Sequence, residues 1–320
     1  MIKLTYCANL CDVYNENYIY SKYGYGAEKN YRIYGKTMHG WLEFNNNFSA
    51  DFLLQSTDKI NDKSILCIVH RSDQEAYLRG KGFHNTHAIG SPFIYVPKTK
   101  ANNRQGHLVM AQHGIDKKNV ENFGFSLKEY VQKLITNEFR PNDLTVVIHG
   151  NDIDNENLVG PVQELGVKVV MGARGLDGLT FIRLAELFST SVSVITNAYG
   201  SHIPYANYFG CKIEFRGPFF QPRWEYLNHL PWFGTVVTKE EWCAQAEIAN
   251  ISSLEKRFPF LFEKPSRVHN KWAGEQLGES QKKTPEELAK IFGWNWANDF
   301  KYVFRKCAAR SYKSLFRKSK

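Results

Sequence analysis

Long apolar runs are what this sequence most lacks. The longest, such as Leu144 to Ile148 and Phe258 to Phe262, fall far short of the ~20 residues that cross a bilayer, so no transmembrane span is expected. Cysteine is sparse as well, at six residues in 320. Only Cys7 and Cys11 lie close together, and without a second Cys or His pair at ligand spacing they make a poor zinc site. All six, with Cys67, Cys211, Cys243 and Cys307, are read as reduced thiols. The chain reaches Asp12 before any sustained apolar stretch and shows no small-residue cleavage site, which predicts no secretory signal and a cytoplasmic protein. A fixed-period repeat and low-complexity segments are absent too.

What is present describes an ordinary soluble globular chain: 43% hydrophobic, 23% charged and 14% aromatic residues. At about 150 residues per domain, two domains are expected. The net charge of +9 looks like a nucleic-acid signature until it is located. Lys301, Arg305, Lys306, Arg310, Lys313, Arg317, Lys318 and Lys320 crowd the end of the chain without an acidic neighbour, which leaves +1 for the other 300 residues. Phe300, Val303, Phe304, Cys307, Ala308, Tyr312, Leu315 and Phe316 recur between them at three-and-four spacing, the pattern of a basic amphipathic helix. Such a helix suits an anionic membrane surface, each base adding about 1 kcal/mol of attraction; docking of its apolar face on the protein is the alternative. No nucleic-acid motif accompanies the bases, so no nucleic-acid partner is expected.

From residue 60 onward, short β-branched runs alternate with helical stretches, which predicts an α/β fold with mainly parallel sheets. Strands are expected at Ser64–Val69, His87–Gly90 and His107–Ala111, with a helix capped by Ser72 after the first and one capped by Ser126 after the third. The pattern then sharpens. Strands at Leu144–Ile148, Lys168–Met171, Val192–Thr196 and Lys212–Phe215 enclose helices at Asn155–Leu165, Leu179–Phe188 and Ser201–Phe209, the signature of a doubly wound sheet. Near the end, Thr284-Pro285-Glu286-Glu287 reads as a capped helix start. Residues 1–60 are rich in Tyr and Asn and give the weakest signal.

In open α/β sheets ligands bind outside the carboxyl ends of the strands, where helix N-termini present free amides. The strand at Val192–Thr196 delivers Thr196, Asn197, Gly200, Ser201 and His202 to that place. Gly200 permits a tight turn, Ser201 can cap the helix and bond an anion, and His202 adds a donor, so a phosphate can be held there without metal. An ordinary cap and an exposed helical His are the plain alternative. The turn Gly172 to Gly178 is also glycine-rich, but it lacks both the G-x-G-x-x-G order and a Walker lysine, which disfavours a dinucleotide oxidoreductase or P-loop enzyme. Its Arg174 and Asp177, with Arg183 in the following helix, are candidate contacts to a nucleotide or sugar, or else solvated charges.

The stretch Gly172 to Phe215, containing Phe181-Ile182-Arg183-Leu184, Thr196-Asn197-Ala198-Tyr199-Gly200-Ser201-His202-Ile203-Pro204-Tyr205-Ala206 and Phe209-Gly210-Cys211-Lys212-Ile213, resembles the donor-binding half of bacterial surface-polysaccharide glycosyltransferases of the GT-B type. His87 to Tyr95 and the strand ending in Gln112-His113 resemble segments of the other half. The resemblance implies two Rossmann-like domains facing a cleft: an acceptor-side domain at 1–138, a nucleotide-sugar domain at 139–275, and C-terminal helices with the basic tail at 276–320. It also implies metal-independent transfer from a nucleotide sugar, a substrate rather than a cofactor, to a glycan or lipid-linked glycan such as O-antigen, capsule or lipooligosaccharide. The protein would then sit at the inner face of the cytoplasmic membrane, bound through residues 300–320. Glu156 and Glu164 have the E-x7-E interval of retaining enzymes but lie one strand too early, so retention is not inferred.

Such transfer needs stabilisation of the departing phosphate and a base for the acceptor hydroxyl. Ser201 and His202 fit the first. For the second, His39 and His113 each lie beside a glycine at an expected loop, and Asp73 is a further candidate. Trp41 is a stacking surface or core, and His149 a junction or buried residue. A pyruvyl or phosphoryl transferase on a similar scaffold, or a non-catalytic membrane-associated binding protein, are the rival readings.

Overall fold

The computed structural model describes residues 14, 16–25, 33, 35–41, 48–54, 59–98, 103–113, 125–220, 223–227 and 234–294. Helix α1 (Glu16–Tyr25) leads into β1 (Gly35–Thr37), α2 (Ala50–Leu53), β2 (Leu66–Val69), α3 (Ser72–Gly80) and β3 (Thr86–Ala88). The three strands form a parallel sheet in the order β1-β2-β3. All four residues of β2 are buried, as a central parallel strand covered on both faces requires. The start of α3 is held by Gln74 rather than by the expected Ser72: its Oε1 accepts from the N–H groups of His70 and Arg71 at 3.1 and 2.9 Å.

The second sheet is built by β4 (His107–Val109), α4 (Leu127–Asn137), β5 (Leu144–Ile148), α5 (Glu156–Gln163), β6 (Lys168–Met171), α6 (Thr180–Thr190), β7 (Ser193–Ala198), α7 (His202–Tyr208) and β8 (Lys212–Phe220). Its five strands are parallel in the order β6-β5-β4-β7-β8. As expected, Ser126 caps α4, accepting from the Glu129 N–H at 3.2 Å. Strand β4 pairs with β5 on one side and β7 on the other, so the direction of winding reverses between β4 and β7. That reversal leaves a crevice at the carboxyl ends of these two strands.

The expected domain boundary at 138/139 is therefore displaced. Strand β4 and helix α4 belong to the second sheet, and Arg104 is already tied to it by bonds to the carbonyls of Phe188, Ser191 and Phe209. The sheets divide near residues 96–103. The remaining helices are α8 (Trp224–Leu227), α9 (Lys239–Ile248), α10 (Ile251–Arg257), α11 (Asn270–Gln276) and α12 (Pro285–Phe292). Helix α11 stays with the second sheet, the His269 N–H before it donating to Asn207 of α7 at 2.9 Å, but others return to the first lobe. Val237 shares a core with Met38, Phe48 and Leu53 of the first lobe, and Glu241 of α9 accepts from the Ser49 N–H at 2.7 Å. The stretch after α11 also returns there, with Ser91 N–H donating to Leu277 O at 2.8 Å and Lys283 N–H to the Tyr95 hydroxyl at 2.9 Å. A Cβ on Gly278 would stand 2.0 Å from the His70 carbonyl oxygen, so only glycine admits this approach. Helix α12 has the predicted capping box, Thr284 and Glu287 bonding each other's N–H.

One apolar core joins the two lobes. Ile68, Ile89 and Phe93 of the first pack with Leu108, Phe181, Val194 and Tyr205 of the second, and the Phe93 and Tyr205 rings stack at 4.1 Å. Among the described residues no helix is long and apolar enough to cross a membrane. The predicted basic helix at 300–320 lies outside the described residues, as do Cys7, Cys11 and Cys307; Cys67, Cys211 and Cys243 are free thiols.

Candidate functional site

A cavity of about 410 Å³ opens at the winding reversal. Met110 to His113 reach it from the end of β4, His149 from β5, Gly172 and Ala173 from β6, and Ala198 to His202 from β7. The first lobe supplies Tyr14 and the loop His39-Gly40-Trp41 beyond β1, while Trp242 and Gln245 close it from α9. The two sheets and helix α9 thus share one wall. Phe181, Tyr199 and Phe220 add apolar surface, and the polar groups are few, the usual character of a small-molecule site.

The lobes meet at Ser201. Its Oγ accepts from the Trp41 N–H at 2.7 Å, and the Tyr199 hydroxyl donates to the Trp41 carbonyl at 3.0 Å. The Trp41 indole stacks on Tyr199 at 4.9 Å and donates from Nε1 to Gln276 at 3.1 Å. Gly40 makes this contact possible: its φ of 72° is left-handed, and a Cβ there would stand 2.9 Å from Ser201 Oγ. Ser201 is not the helix cap expected of it, since its side chain makes no capping bond. The hydroxyl also hydrogen-bonds the side chain of Tyr205.

Four histidines ring the cavity. His202 bonds Thr196 Oγ1 through Nε2 at 2.9 Å, and burial, reinforced by His113, lowers its pKa to about 3. His149 is also lowered to about 3, first by burial and then by His113 and His39. Both rings are neutral at pH 7. The His149 ring lies flat on His113, with centroids 4.5 Å apart. Its Nδ1 accepts from the Asn151 N–H at 3.1 Å, so the remaining proton sits on Nε2 and faces the Tyr14 oxygen 3.4 Å away. Burial pushes the Tyr14 hydroxyl up to about 12. His39 places Nδ1 3.6 Å from the buried carboxylate of Glu16.

Of the residues singled out in the sequence, His39, His113, Gly200, Ser201 and His202 line the cavity together, as do Trp41 and His149. Thr196 and Asn197 lie beneath the wall. Both are buried, Thr196 supporting His202 while Asn197 accepts from the Gln112 N–H at 3.3 Å and donates to Pro218 O at 3.3 Å. Arg174, Asp177 and Arg183 do not line this cavity. Arg183 pairs with Asp177 and donates to Gly172 O at 2.9 Å, bracing the turn after β6, and Arg174 faces Asp154 at 3.9 Å. Asp73 pairs with Arg71 at the start of α3.

Tyr14, Glu16, Trp242 and Gln245 carry no sequence signal of function, because their place at the site comes from long-range packing. Gln245 is 7% exposed, and its Oε1 has no hydrogen-bond partner among the described residues. Among the described residues no three His, Cys, Asp or Glu side chains converge as a metal-ligand set. No protein-family model matches the chain, and no curated protein matches it.

Proposed function

We propose that the chain is a glycosyltransferase of GT-B-like arrangement, moving a sugar from a nucleotide-sugar donor to a cell-surface glycan acceptor in the cavity between the two sheets. The observation that carries this reading is the meeting of both lobes at the winding reversal, where the Gly200–His202 turn of one lobe and the His39–Trp41 loop of the other share a wall. The volume of about 410 Å³ is of the size that holds a sugar or nucleoside fragment. Tyr14, Trp41 and Tyr199 offer aromatic faces to a base or a sugar ring.

In this reading the donor's phosphate lies at the Gly200–His202 turn. The His202 N–H, with the Ser201 hydroxyl beside it, would donate to it as charge grows on the leaving oxygen; the Ile203 N–H is already bonded to Gly200 O and Pro204 has none. His202 stays neutral and acts as a hydrogen-bonding group held by Thr196. His39 and His113, on the wall with it, are the candidates to receive the acceptor's proton. The basic residues between 301 and 320 would hold the enzyme against an anionic membrane bearing a lipid-linked acceptor.

The test is turnover. UDP-, GDP-, CMP- and dTDP-sugars are incubated with the protein and bacterial glycan acceptors, and released nucleotide is measured. Release from one donor class that is abolished in Ser201→Ala/His202→Ala, with the fold intact, supports the reading; no release from any class counts against it.

A further inference from the structure

We infer that Glu16 is the positioning residue for the proton transfer, fixing His39 with its proton on Nδ1 so that Nε2 receives the proton of the acceptor hydroxyl. The role in turnover rests on the glycosyl-transfer reading above; the pairing itself does not.

Glu16 stands in the first turn of α1 and is 2% exposed, while His39 lines the cavity. Oε1 of the one lies 3.6 Å from Nδ1 of the other, a gap that shortens when the ring becomes charged, as catalytic hydrogen bonds do on going from the free enzyme to the reacting complex. The backbone that follows His39 is also held. Gly40 turns it in the left-handed region, and the Trp41 N–H is fixed on Ser201. The ring is thus set between a buried carboxylate behind it and the cavity.

Three described titratable groups around His39 are uncharged at neutral pH. Tyr14, its ring 4.7 Å away, is pushed up to about 12 by burial. His70 at the end of β2 and His149 at the end of β5 are both lowered to about 3, chiefly by burial. The same carboxylate adds to burial in raising the Tyr20 hydroxyl well above its ordinary value. Glu16 therefore sets the local field, and a negative field favours the imidazolium that forms during transfer. His113 is placed differently: it stacks on His149 within the second lobe.

The step balances without another reactant. The acceptor oxygen bonds to the anomeric carbon, and the bond from that carbon to the donor's phosphate oxygen breaks, its electron pair leaving on the phosphate. The hydroxyl proton passes to Nε2 of His39, and the resulting imidazolium is stabilised by Glu16.

Nuclear magnetic resonance of the full chain carrying ¹⁵N-histidine tests this, with the His39 signals assigned by His39→Gln. Wild type is expected to show the Nδ1–H tautomer of the neutral His39 ring, and Glu16→Gln to move it toward Nε2–H. Glu16→Asp, which keeps the carboxylate, should restore most of the Nδ1–H form. In turnover, Glu16→Gln should lower the rate about 100-fold or more while leaving nucleotide affinity unchanged. An Nε2–H tautomer in wild type, which needs no variant to observe, overturns the inference. So does an unchanged His39 tautomer in a folded Glu16→Gln that still binds one of UDP, GDP, CMP or dTDP. Failure of wild type to bind any of the four sinks the transfer reading and the role in turnover with it, a result separable from the tautomer.

Discussion

The backbone N–H of Trp41 donates to the hydroxyl of Ser201 at 2.7 Å, although 160 positions of sequence separate them. One bond ties the loop after β1 to the turn after β7, and the cavity lies beside it. Trp41 is 4% exposed, so in Ser201→Ala its N–H loses its partner in a largely buried place. The expected cost is about 1–3 kcal/mol of stability, read from urea unfolding. A variant as stable as wild type would show that this bond does not help to hold the two lobes together.

Gly200→Ala tests the turn without removing a polar group. The added Cβ would lie 2.8 Å from Nδ1 and 3.0 Å from Cε1 of His202, whose ring is held by Thr196. The ring must shift, at a cost of about 1–3 kcal/mol, and the hydrogen bond to Thr196 is lost or lengthened. Ligand binding should weaken at least tenfold by calorimetry. Unaltered affinity would place the ligand away from this turn.

How much of this could be read from the chain alone follows from where each signal lies. The β-branched runs at 66–69, 144–148 and 193–198 announce buried parallel strands, and Gly200-Ser201-His202 marks the carboxyl end of one of them. Strand β4 is three residues long, and nothing local says that it pairs with β5 and β7, so the sequence alone places the boundary too late. Arg174, Asp177 and Arg183 look like ligand contacts because charge beside glycine is a common site pattern; here Arg183 and Asp177 pair with each other, Arg183 also bonds the backbone, and Arg174 faces Asp154. Glu16 sits in the Tyr- and Asn-rich opening, where no periodicity points to a buried carboxylate. Gln245 reaches the cavity only because α9 packs back on the first lobe.

Stability should fall with acid before the carboxylates titrate. His70 is 2% exposed and its pKa is lowered to about 3, against about 6.5 in an unfolded chain. Between those values the unfolded state binds the extra proton, so the neutral ring's contribution is complete above pH ~6.5 and is lost as pH falls toward 3. His149 and His202 add in the same direction. The slope approaches ~1.4 kcal/mol per pH unit for each such group. Unfolding free energies measured from pH 7.5 to 5 should show it, with His70→Gln reducing proton uptake by about one; an unchanged slope would mean that His70 titrates normally.

The basic end of the chain makes a separable prediction. Full-length protein should co-sediment with anionic vesicles, and protein ending at residue 299 should do so much less, with the difference shrinking as salt rises. Equal partition of the two would remove the membrane from the account.

The central claim is that the cavity beside Ser201 holds a nucleotide, and thermal unfolding against UDP, GDP, CMP and dTDP tests it most directly. At 100 times its dissociation constant a bound nucleotide adds ~2.7 kcal/mol, so one of the four should raise the melting temperature in a concentration-dependent way, and Gly200→Ala should abolish the rise. No shift with any of the four, or a shift that Gly200→Ala leaves intact, would contradict it.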